Sequence, residues 1–265
     1  MMQVRFVAHQ VAIVVVCLLL LPGHIGAGEA PTNSKIRLAA LVERAEPSSP
    51  IVNHVPEAAL IGKWRVVRER MRYDQRIVSW CRHDPAGCPS DAATLFMSIV
   101  DTASLREGRA RIGEINRAIN LAVRPVSDQR RHGGDDWASP LSTLASGEGD
   151  CEDYAIAKLA ALWMAGFAEN DTRLAIVRDD RAREDHALAM VRLEGRWLAL
   201  DNRRFALMET AHLTYRPLYV IGGPVEVRVV SEDGAWKALD EENAAGLSAQ
   251  NESGSAGARS WPVLL

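Results

Sequence analysis

Cys151 stands in the run Gly147-Glu148-Gly149-Asp150-Cys151-Glu152-Asp153-Tyr154-Ala155, which has the parts of a tight turn leading into a helix. The two glycines permit the turn, Asp150 can act as N-cap, and Asp153 sits where a capping-box carboxylate belongs. A cysteine in the first helical turn meets free backbone N–H groups and the positive end of the helix dipole, which favour a thiolate. Asp150 and Glu152 are poor company for a cysteine that merely packs. The same surroundings create a conflict, because Glu148, Asp150, Glu152 and Asp153 repel a thiolate and raise its pKa. A Ca2+ ion on Asp150, Glu152 and Asp153 would relieve it, since calcium prefers several oxygen ligands. Helix capping together with nearby arginines is the other route to the same end.

A thiolate nucleophile needs a base, and the base needs an orienting group. Among the seven histidines, His186 opens the run Ala187-Leu188-Ala189-Met190-Val191, which reads as a strand. Glu194-Gly195 reads as a two-residue hairpin turn into Arg196-Trp197-Leu198-Ala199-Leu200-Asp201. Pairing Leu193 with Arg196 then sets Leu188 opposite Asp201. Because side chains alternate along a strand, His186, Leu188 and Asp201 share one face, with Asp201 diagonal to His186 and within reach. Taken singly, a histidine at a strand start and an Asp-Asn turn are ordinary features. Together with a helix-start cysteine they make Cys151, His186 and Asp201 a candidate nucleophile, base and orienting carboxylate.

The elements that must hold these residues can be read from periodicity. A helix is expected from about Glu57 to Arg76, with Leu60, Trp64, Val67 and Met71 on one stripe. A second is expected from Asp91, carrying Leu95, Phe96, Ile99 and Val100. A third runs from about Leu105 to Val123 and is stopped by Arg124-Pro125. The cysteine helix is expected from Cys151 to Trp163, with Gly166 as its stop. Short strands follow at Leu174–Val177, His186–Leu193, Arg196–Leu200, Tyr219–Ile221 and Val225–Val230. Helices first and strands later give an α+β fold.

Length, composition and the termini complete the reading. The chain has 265 residues, a net charge of −3 and 25% charged residues, which argues against a nucleic-acid partner. Arg5 followed by the apolar run Val11 to Leu21 is too short to span a bilayer comfortably and reads as a signal peptide over residues 1–30. The expected location is therefore periplasmic or secreted. Residues 31–56 read as a linker or arm, 57–230 as the catalytic domain, and 231–265 as a poorly ordered tail. Export leaves Cys81, Cys88 and Cys151, of which Cys81 and Cys88 bracket a turn-rich loop and are the natural pair for a disulfide, with two unpaired thiols as the alternative.

The residues Trp137-Ala138-Ser139-Pro140, then Gly147 to Lys158, then His186 and Leu200-Asp201-Asn202, closely resemble the bacterial transglutaminase-like cysteine proteases, the LapG-like family. Asn116 and Asn120 on the third helix fit the same pattern. The resemblance covers roughly residues 58–223. It implies a papain/transglutaminase-like core, with a cysteine-bearing helix packed on an antiparallel sheet that carries the histidine and aspartate. It also implies Ca2+ bound near the cysteine, a large surface adhesin as protein substrate, and control by an inner-membrane receptor for cyclic di-GMP. The alternatives are acyl transfer to an amine by the same triad, or a non-catalytic module that captures a peptide or receptor.

Overall fold

The computed structural model describes residues 56–127, 136–222 and 227–229, together with Trp236 and Leu239. The expected signal peptide and, apart from Pro56, the expected arm lie outside the described residues. So does the tail after 231, except at the last two positions named. All of the described residues belong to one unit, Asn53–Leu265.

Among the described residues, four helices precede the cysteine helix. Helix α1 spans Glu57–His83, α2 Asp91–Ser104, α3 Gly108–Ala122 and α4 Pro140–Ser146. The apolar stripe of α1 continues past Arg76 through Val78 to Cys81, so the helix runs a further two turns beyond the expected end. Cys81 in its last turns is disulfide-bonded to Cys88 in the following loop. Ser90 caps α2 by accepting from the Ala93 N–H at 3.2 Å, which explains the sharp start at Asp91. Leu95 is exposed rather than on the buried stripe, whose members are Ala92, Ala93, Phe96, Ile99, Val100 and Ala103. Helix α4, unread in the sequence because it is only two turns long, begins with Pro140 in its first turn. Asp74 of α1 accepts from the Leu141 N–H at 2.8 Å and so ties α4 to α1.

Helix α5, Cys151–Met164, is buried almost all round from Asp153 to Trp163. A helix apolar on every side belongs between layers. It lies there, with α2, α3 and α4 on one side and the sheet on the other. Its C-terminus closes with the Gly166 N–H on the Trp163 carbonyl at 3.1 Å and the Phe167 N–H on the Leu162 carbonyl at 3.0 Å.

Two short strands, β1 Arg124–Pro125 and β2 Glu148–Gly149, pair in parallel just before α5. The main sheet comprises β3 Thr172–Asp179, β4 Glu184–Leu193, β5 Arg196–Leu200, β6 Met208–Glu209, β7 Arg216–Ile221 and β8 Val227–Val229. Its order is β6-β5-β4-β3-β7-β8 and every neighbouring pair is antiparallel. Leu174, Ile176, Ala187, Ala189, Val191, Leu198 and Leu200 join the helical core. The alternate residues Ala175, Val177, Leu188, Met190, Trp197 and Ala199 face the other way and meet Tyr215, Val220 and Leu239. Leu239 is buried there, and its carbonyl accepts from Trp197 Nε1 at 3.3 Å. The α+β architecture, with helices preceding an antiparallel sheet, is the one expected.

The hairpin between β4 and β5 has the expected register, with Leu193 opposite Arg196 and Ala189 opposite Leu200. Glu194 and Gly195 both take positive φ, 51° and 77°. That is the twist a two-residue turn needs to keep its strands paired, and glycine supplies half of it without strain.

Candidate active site

The His186–Asp201 pair is built where β4 begins and β5 ends. His186 Nε2 lies 2.9 Å from Asp201 Oδ1, with both side chains buried. Asp201 is held from several directions. The Arg203 backbone N–H donates to Oδ1 at 2.9 Å and the Tyr215 hydroxyl donates to Oδ2 at 2.9 Å. Asn120 Nδ2 donates to the Asp201 carbonyl at 2.9 Å, while Asn116 Nδ2 donates to the carbonyls of Arg204 and Phe205 at 2.9 and 3.1 Å. Helix α3 therefore clamps the loop after β5 through the two asparagines. Burial works against the charge of Asp201, but the hydrogen bonds from His186, the Arg203 amide and Tyr215, with the nearby imidazole, hold its carboxyl down to about 2. An ionised Asp201 accepts from an Nε2–H, which leaves His186 Nδ1 as the lone-pair nitrogen. That nitrogen is buried and has no hydrogen-bond partner among the described residues.

The cysteine end is built by the turn into α5. Asp150 caps the helix by accepting from the Asp153 N–H at 3.4 Å. Gly149 is required by close approach, because a Cβ there would sit 2.8 Å from the Asp153 Cβ. Asp153 is fully buried and accepts from the Ala138 N–H at 2.8 Å, so it ties the Trp137-Ala138-Ser139-Pro140 segment to the start of the helix. Tyr154 donates to the Val123 carbonyl at the end of α3.

The Cys151 residue is partly exposed, and its thiol donates to Glu152 Oε2 at 2.8 Å. The thiol is pushed well above its ordinary range by the burial of the sulfur, by the charge and hydrogen bond of Glu152, and by the charge of Asp150. The backbone amide of Ala187 works in the opposite sense. Burial of the sulfur is the largest of these influences, and the repulsion expected from the flanking carboxylates reinforces it.

The Ala187 amide also locates the sulfur. In this hairpin the odd-numbered residues of β4 turn their N–H groups toward β5, as the Ala189–Leu200 and Leu193–Arg196 pairs require. Pairing stops at Leu200, so the Ala187 N–H points to the position the next β5 residue would have filled, and the sulfur lies on that side. Cys151 thus lies at an open edge of the sheet, beside the residue that follows His186. The structure joins His186 to Asp201 directly. The hydrogen bond of Cys151 goes to Glu152 and not to His186.

The acidic residues expected to hold calcium do not gather into one donor set. Asp150 caps, Asp153 points inward to Ala138, and Glu152 turns to the sulfur. Among the described residues no three His, Cys, Asp or Glu side chains are grouped closely enough to hold a metal ion. As placed, these three carboxylates do not make a calcium cage.

Three contributors escaped the sequence reading. Tyr215 was hidden because it lies in an irregular segment just before β7. The Arg203 amide carries no side-chain signature. Lys158 was legible in principle, as a charged residue at a core position of an otherwise apolar helix. It is fully buried, its Nζ reaches the Leu200 carbonyl at 3.5 Å and lies 5.6 Å from the Tyr154 ring. Burial lowers its pKa to about 7 against the opposing pull of Asp201.

Residues 71–243, more than half of the chain, match the bacterial transglutaminase-like cysteine proteinase family, and the chain belongs to that family. It is a transglutaminase-like cysteine protease, and its substrate is accordingly a protein. Among solved structures, LapG of Legionella pneumophila is 20% identical, with 64% of this chain and 96% of that one covered and a TM-score of 0.48. The calcium-bound form of the same protein is 18% identical, with 64% and 98% covered and a TM-score of 0.47. An EGTA-treated form gives 19% identity, 64% and 96% coverage and a TM-score of 0.48. No curated protein matches the chain.

Proposed function

We propose that the protein is an exported cysteine endopeptidase in which Cys151 is the nucleophile, His186 the proton carrier and Asp201 the orienting carboxylate. The observation that carries this reading is the buried His186–Asp201 pair, whose Nδ1 stays an acceptor next to Ala187, the residue whose amide reaches the Cys151 sulfur. The sulfur attacks the peptide carbonyl carbon as its proton passes to His186 Nδ1. The imidazolium then gives that proton to the departing amine, leaving a thioester, which water hydrolyses with His186 again as base. Asp201 fixes the tautomer and supports the imidazolium charge. Backbone N–H groups at the start of α5 face the developing oxyanion.

The Cys81–Cys88 disulfide supports placing the protein in an oxidising compartment, the periplasm or beyond. The proposed substrate is a large surface adhesin, and the proposed regulator an inner-membrane receptor that senses cyclic di-GMP. Calcium binding is proposed with Asp150 and Glu152 as donors. The favouring observation is that both raise the thiol pKa, so a cation between them would relieve the nucleophile. Donors beyond these two are needed, and calorimetric titration with Ca2+ that gives no heat ends this part.

The central reading is tested by comparing, with mass spectrometry, the proteins shed from cells carrying the wild type or Cys151→Ala. Shedding that depends on Cys151 is expected, with new termini marking the scissile bond. Equal shedding by the alanine variant sinks the proposal. Labelled amine joined to the new C-terminus, or to glutamine side chains, would instead identify acyl transfer.

A further inference from the structure

Asp201 has two carboxylate oxygens, and only one of them serves His186. The other, Oδ2, accepts from the Tyr215 hydroxyl at 2.9 Å. Tyr215 is buried, and its ring meets the His186 ring edge-on, with centroids 5.6 Å apart and planes at 63°. One side chain therefore touches both members of the pair, by hydroxyl and by ring. Its backbone comes from neither of their elements. Tyr215 immediately precedes β7, which is separated from β4 by β3.

His186 and the Arg203 amide both hold Oδ1. The Tyr215 bond is what holds Oδ2 at hydrogen-bond distance, and so fixes the plane of the carboxylate. The guanidinium of Arg204 lies over the same ring at 6.0 Å, and its Nε approaches Oδ2 at 3.9 Å. The Tyr215 proton is firmly held, since burial and the Asp201 charge raise the phenol pKa.

We infer that Tyr215 is a positioning residue for the proposed reaction: it locks the Asp201 carboxylate so that Oδ1 fixes His186 in the Nε2–H tautomer. The role depends on the hydroxyl and not on the ring, which separates it from simple packing. It rests on the triad reading above.

The test uses Tyr215→Phe, which keeps the ring and its contacts, and compares it with Asp201→Asn and the double variant. In the wild type, 15N NMR of the His186 imidazole is expected to show the Nε2–H tautomer, and in Tyr215→Phe a mixture of tautomers. On the peptide spanning the bond mapped in the shedding comparison, Tyr215→Phe should lower kcat about tenfold with KM unchanged. Added to Asp201→Asn it should cost nothing further, because both act through one carboxylate. An unchanged tautomer with kcat within twofold of wild type, or full additivity with Asp201→Asn, overturns the inference. Loss of the triad reading is recognised separately, by a Cys151→Ala variant that still cleaves, and the NMR result decides on Tyr215 even then. Tyr215→Leu, which removes ring and hydroxyl together, serves as the packing control. A tautomer mixture in the leucine variant alone assigns the effect to the ring and overturns the role of the hydroxyl.

Discussion

The two ends of the site are built to opposite specifications. Asp201 is saturated with hydrogen bonds from β4, from α3, from its own loop and from Tyr215, and its carboxyl is held down to about 2. Cys151 stands at a helix start that should favour its thiolate, yet it donates to Glu152 and its pKa is driven up. The imidazole–carboxylate pair is preorganised, whereas the thiol is held back by its burial first and then by its neighbours Glu152 and Asp150. The difference teaches that whatever lowers the thiol pKa has to act on that burial or on those carboxylates, and not on the pair.

The strongest way to break this contrast is at the prepared end. Asp201→Asn should reduce kcat/KM by at least about a hundredfold with the fold retained, because an amide cannot anchor the Nε2–H tautomer in the same way. The same residue sets an acid limit on stability. Its folded pKa lies below the unfolded value, so its contribution is complete above about pH 4 and is lost as pH falls toward 2. Thermal unfolding across that range should show a loss of about 2 kcal/mol in the wild type that is absent in Asp201→Asn.

Lys158 lies on the helix of one end and beneath the strand end of the other. Its folded pKa of about 7 is below the usual lysine value, so the unfolded chain binds the extra proton between pH 7 and about 10. Wild-type stability should therefore rise with pH over that window. Lys158→Met should flatten the rise and be more stable than wild type at pH 6 by roughly 2–3 kcal/mol. Equal pH dependence in the two proteins would show that the ammonium is better solvated than its burial implies.

At the restrained end, Glu152→Gln removes a charge and weakens the hydrogen bond that holds the thiol proton. Measured in EGTA at pH 7.5, alkylation of Cys151 by iodoacetamide should quicken about tenfold. An unchanged rate would assign the high thiol pKa to burial alone. The smallest effect concerns the hairpin that fixes the register. Glu194 holds a positive φ that asparagine tolerates better, so Glu194→Asn should stabilise the protein by about 0.5–1 kcal/mol in denaturant unfolding. Destabilisation instead would mean that the glutamate side chain matters to the turn.

The order of elements was legible because each signal was local. Asp150 and the Glu194-Gly195 turn each state a boundary in one or two residues, and the structure has α5 and the β4–β5 hairpin where those residues put them. Elements lacking such a mark were read less well. The expected end of α1 at about Arg76 falls short, because the buried stripe runs on through Val78 to Cys81. Helix α4 is too short for periodicity to register.

What the sequence determined by itself was the pairing of His186 with Asp201, since strand alternation and a two-residue turn leave only one parity. It also made Cys81 and Cys88 the natural pair, through a short intervening loop, and the structure joins them. What only the tertiary structure decided was how each charge is answered: Oδ2 of Asp201 by a tyrosine from beside β7, its carbonyl by an asparagine of α3, and the thiol by its neighbour Glu152 and not by His186. Those choices depend on distances between elements far apart in the chain. No local pattern encodes such distances, because they follow from how α5 is sandwiched between the helices and the sheet.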